Sequence, residues 1–261
     1  MILKKGSKGE DVKKIQMLLG VTVDGIFGNN TEQAVKDYQK KNGLVADGIV
    51  GDKTWSKMFG IFPKEDIGIV KKPISVHITK FPNRPIKYIA VHYTAGSTSK
   101  KGAAEGTRHV FLNREASADF VVDDETIVQI NPDIRNYYCW AVGDKKNSTT
   151  GGAQLYGNAY NRNTISIEVC SNLKPNTTAA VPNHAGWYFT DKSIANTVKL
   201  VKYLMKTYNI PKSNVVRHYD ITGKLCPGIV GWNKGIMFSP EGHTLKEHNN
   251  STAWENFKQK L

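Results

Sequence analysis

The N-terminal part of the chain contains a repeated turn motif, Asp-Gly-Ile-Phe-Gly from Asp24 and Asp-Gly-Ile-Val-Gly from Asp47. Asp-Gly favours a tight turn, and a glycine can adopt backbone angles that other residues avoid. Each copy is followed by a polar pair and a threonine, Thr31 or Thr54, which we predict to be a helix N-cap. The repeat therefore predicts a small three-helix unit. Its apolar residues at helical spacing include Val12, Ile15, Leu18, Leu19, Ala34, Val35 and Tyr38.

The residues around these turns resemble the peptidoglycan-binding domain found on many bacterial wall hydrolases. The resemblance covers roughly residues 5–60 and rests on the doubled turn and on the helical segments at 9–16 and 34–40. It implies attachment to the cell wall, whereas periodicity alone predicts only a helical bundle. We assign residues 1–60 to this domain. Residues 61–75, with charges and prolines but no sustained periodicity, are predicted to be a linker.

From residue 76 the pattern changes to short strands that alternate with helices. Over residues 76–261 this alternation predicts an α/β domain with a mixed central sheet flanked by helices. The strongest helix is predicted over 191–208, with Thr190 as a possible N-cap, and another is predicted over 102–112. The predicted strands, rich in Val, Ile or Tyr, are 86–92, 118–123, 126–130, 164–170 and 214–218.

Three side chains of the kind that bind metals stand where predicted strands or turns end. His92 and His218 each end a strand, and Cys226 precedes a Pro-Gly turn. Each of them alone is more often structural than functional, but strand ends can converge at one edge of a sheet. Two histidines and one thiolate suit zinc, and a catalytic zinc site keeps its fourth position for water. The three residues together therefore predict a zinc hydrolase.

Two charged residues are candidates for the chemistry beside this site. Glu168 shares the polar face of a predicted strand with Ser166. A surface or salt-bridged glutamate would give the same pattern, but a zinc hydrolase needs a base, and Glu168 is the best candidate by type. Lys224 lies two positions before Cys226. A lysine fixed there could stabilise the oxyanion of a tetrahedral intermediate, although most lysines are solubilising charges.

Together these segments resemble the zinc N-acetylmuramoyl-L-alanine amidases, a group shared with bacteriophage lysozyme-like amidases and peptidoglycan recognition proteins. The resemblance covers most of residues 80–230, and its most specific motif is 217–228. It implies one catalytic Zn²⁺ and five functional residues, namely the ligands His92, His218 and Cys226 and the catalytic pair Glu168 and Lys224. Because binding-only relatives have lost the thiolate, the presence of Cys226 implies an active enzyme.

The resemblance implies hydrolysis of the amide bond between N-acetylmuramic acid and the L-alanine of the stem peptide, and hence lysis of the bacterial wall. Two alternatives stay open. A non-catalytic peptidoglycan-binding protein would be expected to lack one of the metal ligands. A zinc peptidase that cuts the stem peptide would use the same metal chemistry, but its common motif, His-Glu-x-x-His, is absent from the sequence.

The chain has 36 lysines and arginines against 23 aspartates and glutamates, a net charge of +13. Such a charge favours polyanionic partners. No nucleic-acid recognition motif accompanies it, so we expect the anionic wall of a Gram-positive bacterium rather than nucleic acid. The three cysteines are too few for a disulfide framework.

No apolar run is long enough to span a membrane, and no signal-peptide core is present near the N-terminus. With the resemblance, these features indicate a phage or prophage endolysin, which stays in the host cytoplasm until it is released to the wall. A bacterial autolysin exported by another route is the alternative. The sequence leaves the oligomeric state open.

Overall fold

The computed structural model divides into two compact units, Met1–Asp66 and Ile67–Leu261. It describes residues 2–59, 66–147, 149–175, 177, 185–234, 237–238, 244–245 and 251–261. His184, which we predict to be a loop histidine, lies outside these residues, as does most of the first half of the predicted linker. The domain limits 1–60, 61–75 and 76–261 stay predictions. No helix within the described ranges is both long and apolar enough to cross a membrane.

The first unit consists of three helices, α1 (Glu10–Leu19), α2 (Asn29–Lys41) and α3 (Asp52–Phe59). Each helix turns an apolar face towards a common core, as the helical spacing predicts. The buried members of this core are Val12, Ile15, Phe27, Val35, Val50, Trp55 and Met58.

The prediction that Thr31 and Thr54 are N-caps is wrong. Helices α2 and α3 begin two residues earlier, at Asn29 and Asp52. Both threonine side chains are buried, and each hydroxyl accepts a hydrogen bond from a buried glutamine. The N-cap rule considers only neighbours along the chain, whereas a partner from a different helix fixes these hydroxyls.

A buried glutamine ties each repeated turn to the preceding helix. The Gln16 amide group donates to Asp24 Oδ1 at 2.7 Å, to the Ile26 carbonyl at 3.0 Å and to Thr31 Oγ1 at 3.1 Å. Its carbonyl oxygen accepts from the Gly25 backbone N–H at 2.8 Å. The second copy of the repeat reproduces all of these contacts, between Gln39 and Asp47, Ile49, Thr54 and Gly48.

The second unit is built on a mixed sheet of six strands, in the order β1-β5-β4-β7-β3-β10. Strands β4 and β5 are antiparallel, and the other neighbours in this sheet are parallel. The strands are β1 (Ile69–Lys71), β2 (Ile78–Lys80), β3 (Tyr88–Tyr93), β4 (Phe120–Val122), β5 (Ile127–Gln129), β6 (Tyr137–Cys139), β7 (Thr164–Val169), β8 (Asn172–Leu173), β9 (Trp187–Tyr188), β10 (Val215–Arg217), β11 (Met237–Phe238) and β12 (Thr244–Leu245).

Helices cover both faces of this sheet. They are α4 (Ala103–Asn113), α5 (Asp191–Tyr208), α6 (His218–Thr222) and α7 (Thr252–Gln259), with 3₁₀ turns at Asn161–Asn163 and Lys212–Asn214. The larger core packs one face of the sheet against α5 and α7, and a smaller core packs α4 near β4 and β5. The predicted fold class is confirmed. The bounds of α5 agree with the predicted 191–208, and Thr190 caps it by accepting from the Ser193 N–H at 3.1 Å.

A buried ion pair connects the loop before β3 to the residue before β4. Arg84 Nη1 lies 2.9 Å from Asp119 Oδ1, and both side chains are inaccessible to solvent. The carboxylate also accepts from Asn131 Nδ2 at 2.6 Å and from the Ser166 backbone N–H at 2.8 Å. A buried ion pair needs such additional partners to offset the loss of hydration. The carboxylate of Asp119 therefore stabilises the fold through these buried partners.

Candidate metal centre

The two candidate histidines are brought together by three parallel strands. Strand β3 lies between β7 and β10, so the carboxyl ends of all three meet at one edge of the sheet. His92 is the second-last residue of β3. Arg217 ends β10 opposite Val91, so His218, the first residue of α6, emerges beside His92. The sequence predicts that strand ends converge here, but it places His218 at the end of the strand 214–218, whereas the strand ends at Arg217 and His218 begins α6.

The structure also brings Cys226 to this edge. After α6 the chain folds back, and the Tyr219 backbone N–H donates to the Cys226 carbonyl at 3.1 Å. His92 Nδ1 lies 3.1 Å from His218 Nδ1 and 3.8 Å from Cys226 Sγ. All three side chains are buried, and one potential ligand atom of each lies within 4.8 Å of the others. The three residues thus form a compact cluster of two nitrogens and one sulfur.

The cluster has the dimensions and the chemistry of a zinc site. Tetrahedral zinc with ordinary Zn–N and Zn–S bonds holds neighbouring ligand atoms about 3.3–3.6 Å apart, close to the two distances observed. Burial lowers the pKa of His218 to about 3 and that of His92 well below its usual value, with the charge of Lys224 adding to both effects. Both imidazoles are therefore neutral, the form that binds metals.

The thiol of Cys226 needs a cation in order to ionise. Burial raises its pKa to about 12, and the negative charge of Glu168 acts in the same direction. Lys224 and a hydrogen bond from the backbone of Tyr93 oppose this rise. A coordinated metal deprotonates a thiol outright. The donor set therefore fits a zinc ion, and His92, His218 and Cys226 are the residues that would hold it.

Glu168 lies directly beside the cluster. It is the register partner of His92 across β7 and β3. Its Oε2 atom is buried and has no hydrogen-bond partner among the described residues, and the same holds for His92 Nε2 and Ser166 Oγ on the same side of the sheet. Burial raises the pKa of Glu168 to about 8, and the charges of Lys224 and Arg114 limit the rise. A carboxyl group with such a pKa can exchange a proton near neutral pH, as a general acid–base group must.

Lys224 is exposed at the rim of the same site. It lines both the main cleft over the cluster and a neighbouring cleft of about 550 Å³. The structure therefore brings all five sequence-predicted residues together, while their individual roles stay predictions.

The main cleft has a volume of about 840 Å³ and is floored by the cluster and Glu168. One of its walls consists of helix α4, which contributes Val110, and of Arg114, which directly follows this helix. Trp140 lines the cleft as well, 41% exposed, and its Nε1–H donates to Thr79 Oγ1 at 2.9 Å. Sequence reasoning missed Arg114 and Trp140. Neither residue belongs to a motif, and only the tertiary arrangement turns them towards the site.

The fold and the cluster at its edge define an α/β protein with a candidate metal centre in an open cleft. Residues 82–229 match the family model of N-acetylmuramoyl-L-alanine amidase. The chain therefore belongs to the N-acetylmuramoyl-L-alanine amidase family. Residues 8–58 match the model of a peptidoglycan binding domain.

Several known proteins are similar to this chain. N-acetylmuramoyl-L-alanine amidase CwlH of Bacillus subtilis (strain 168) is 35% identical over 143 residues, which are 54% of this chain and 46% of CwlH. N-acetylmuramoyl-L-alanine amidase XlyA of the same organism is 33% identical over 141 residues, 54% of this chain and 39% of XlyA. The chain thus spans less than half the length of these curated relatives. The solved catalytic domain of XlyA is 26% identical, with a TM-score of 0.47, over 74% of this chain and 99% of that domain.

Proposed function

We propose that the protein hydrolyses the amide bond between N-acetylmuramic acid and the L-alanine of the peptidoglycan stem peptide. The observation that carries this proposal is the meeting of His92, His218 and Cys226 beside a buried glutamate at the floor of an open cleft. Membership of the amidase family and the names of the relatives support the choice of bond. The substrate class is bacterial peptidoglycan, and the net charge of +13 favours an anionic Gram-positive wall.

In this reaction His92, His218 and Cys226 would hold one Zn²⁺, which when bound supplies Lewis-acid polarisation of the scissile carbonyl and acidifies water. Glu168 takes the proton of the attacking water on Oε2, the buried oxygen to which no described residue donates a hydrogen bond. It then passes this proton to the leaving nitrogen of L-alanine. Burial raises the pKa of Glu168 towards neutrality, so the deprotonated carboxylate can accept the proton of water and the protonated group can then donate it to the leaving nitrogen.

Lys224 stabilises the oxygen of the scissile carbonyl as negative charge develops on it. Its ammonium group lies close enough to the cluster to lower the pKa values of both histidines. Removal of one oxyanion donor in a preorganised site typically costs about 3 kcal/mol in the barrier. Because Lys224 is exposed, substrate binding has to exclude water from it before it contributes fully.

The test is digestion of purified Gram-positive walls by the full chain, with and without a zinc chelator. New N-terminal alanine without new reducing sugar ends, lost on chelation and restored by zinc, is the expected result. Release of other amino termini would instead indicate a zinc peptidase. Wall binding without any product from zinc-loaded protein would indicate a peptidoglycan-binding protein.

We further propose that residues 1–60 hold the enzyme on the wall, that 61–75 connect the two parts, and that 76–261 carry the activity. Combined wall binding and amidase chemistry suit a phage endolysin, which remains in the host cytoplasm until it reaches the wall. Expression in a Gram-positive host tests this, because lysis is expected only after the membrane is permeabilised. Lysis of expressing cells whose membrane has not been permeabilised would instead favour an exported autolysin.

A further inference from the structure

The cleft over the metal cluster is lined by an excess of positive charge. Its cationic lining groups are Lys100, Lys101, Arg114 and Lys224, and the carboxyl group among its lining residues is Glu168, whose pKa burial raises to about 8. Lys101 lies 3.6 Å from Glu125 and is partly neutralised. Lys100 and Arg114 have no ion-pair partner within the part of the chain that the structure describes. An unneutralised concave surface of one sign attracts a ligand of the opposite sign.

Arg114 is the cation on the α4 wall of this cleft. It directly follows α4 and is exposed to solvent. It shares the wall with Val110, whose side chain is 51% exposed, and its charge lowers the pKa of Glu168. A free guanidinium therefore stands near the place where the proposed reaction occurs, next to an exposed apolar residue.

We propose that Arg114, assisted by Lys100, forms a carboxylate-binding subsite for the stem peptide, so that the α4 side of the cleft selects free carboxylates over amidated ones. This inference rests on the proposed function. A guanidinium presents a planar fork of N–H donors that matches the two oxygens of a carboxylate. Amidation keeps the size of the group but removes its charge and replaces one acceptor by a donor, so the fork loses one of its two bonds.

Two carboxylates of a stem peptide can be either free or amidated, and the experiment distinguishes them. One belongs to the D-glutamate that follows L-alanine, and the other to the side chain of a third-position diaminopimelate. Values of kcat/KM are measured with the full zinc-loaded chain on two matched pairs of muramyl peptides. The first pair differs only in D-glutamate against D-isoglutamine, and the second only in amidation of diaminopimelate. We expect at least a tenfold preference for the free acid in one pair.

The variant Arg114→Gln is expected to bring that preference to within about twofold of unity. Arg114→Lys keeps the charge without the fork and should keep part of the preference. Arg162→Gln is the matched control, because Arg162 stacks on the Tyr160 ring and does not line the cleft. The control should retain the full preference. Using a ratio of two substrates cancels any effect of Arg114 on Glu168, since that effect is common to both.

Two results would overturn the subsite. One is a wild-type enzyme that shows no preference in either pair. The other is an Arg114→Gln variant that loses the same factor on both members of a pair. If the wild type cleaves none of these compounds, the proposed function fails, and calorimetric binding of the same pairs judges the subsite separately. A free-acid preference in binding that disappears in Arg114→Gln supports the subsite, and its absence in the wild type refutes it.

Discussion

Two buried polar clusters in this protein differ in how completely their polar atoms are hydrogen-bonded within the described part of the chain. In the first unit, Gln16 and Gln39 each place both ends of the amide group in hydrogen bonds, and their partners are satisfied in turn. At the sheet edge of the second unit, His92 Nε2 and Glu168 Oε2 are buried and find no hydrogen-bond partner in the part of the chain that the structure describes. In the first cluster the buried amide groups bond to partners that include the carboxylates of Asp24 and Asp47, whose pKa values are lowered, whereas burial raises the pKa of Glu168 in the second.

The difference indicates which cluster serves the fold and which serves chemistry. A buried polar group without a partner costs about 1–3 kcal/mol, so folded proteins keep few of them. In the glutamine networks, hydrogen bonds within the chain offset the cost of burying the amide groups, so these networks require no ligand. The residues at the sheet edge differ: the clustered His92 Nδ1, His218 Nδ1 and Cys226 Sγ atoms fit a cation, and Glu168 Oε2 is left to interact with water or substrate.

The largest effect is expected from removal of the proposed thiolate ligand. Cys226→Ser should lose zinc binding and wall hydrolysis, because a neutral hydroxyl replaces the charged soft ligand that zinc prefers. Zinc content by plasma mass spectrometry and release of N-terminal alanine measure the two losses. Cys170→Ser is the control, since Cys170 is buried elsewhere, near Thr107, and its change should leave zinc content intact. Full zinc occupancy in Cys226→Ser would remove Cys226 from the ligand set.

The next effect separates catalysis from metal binding. Glu168→Gln should lower kcat by about 10²–10⁴-fold, the usual contribution of a general base, while zinc content stays unchanged. Glu115→Gln, at an exposed glutamate outside the cleft lining, should show wild-type kcat. Wild-type hydrolysis by Glu168→Gln would require a different base.

The variant Glu168→Gln also tests, through thermal stability, whether the buried Glu168 carboxyl group stabilises the fold. In zinc-free protein at pH 8, Glu168→Gln should unfold at the same or a higher temperature than the wild type. The folded-state pKa of about 8 is above the unfolded value, so stability from this group is present at low pH and is lost as the pH rises towards 8. A neutral amide avoids that loss. A clear decrease in melting temperature would mean that Glu168 has a structural partner.

A glutamine of the first unit should respond in the opposite way. Gln16→Ala removes four hydrogen bonds and leaves buried partners unpaired, so the free energy of unfolding should fall by about 2–3 kcal/mol. Hydrolysis of a soluble muramyl peptide should be unaffected. Gln33→Ala, at an exposed glutamine of α2 whose side chain donates to Asp37, should change stability by less than about 0.5 kcal/mol. Equal effects of the two variants would contradict a structural role for the network.

The contrast also shows how far the sequence could be read. The site was predictable because its residue types are distinctive and because parallel strands deliver their last residues to one edge, as for His92. Helix α5 was predictable from its apolar period and from Thr190. The roles of Thr31 and Thr54 were misread because their partner, a glutamine on the preceding helix, is invisible to a local rule.

Two further features depend on contacts between distant parts of the chain. The pair Arg84 and Asp119 brings together charges that each look like ordinary surface residues in the sequence. Arg114 and Trp140 line the cleft only because α4 and the segment after β6 pack around it. Neither the hydrophobic period nor the spacing of motifs predicts such contacts between residues that are far apart in the sequence.

The smallest effect is expected on the acid side of the stability profile of the first unit. A backbone hydrogen bond from Ile26 lowers the pKa of Asp24, and one from Ile49 lowers the pKa of Asp47. Hydrogen bonds from the two glutamine side chains add to this lowering. Because the folded-state values lie below the unfolded value of about 3.9, the stabilisation is complete above that pH and is lost as the pH falls through the folded-state pKa. Melting temperatures of wild type and Asp24→Asn between pH 2 and 6 should therefore converge at the acid end.

The same titration distinguishes the two clusters by sign. The carboxylates of the repeated turns stabilise the fold when ionised, so this unit loses stability as the pH falls. Glu168, whose pKa is raised by burial, stabilises the zinc-free fold when protonated, so its contribution is lost as the pH rises. If Asp24→Asn and Glu168→Gln changed the pH dependence of the melting temperature in the same direction, the role assigned to one of the two clusters would be wrong. Opposite shifts would mean that ionisation stabilises the first unit and destabilises the zinc-free second unit.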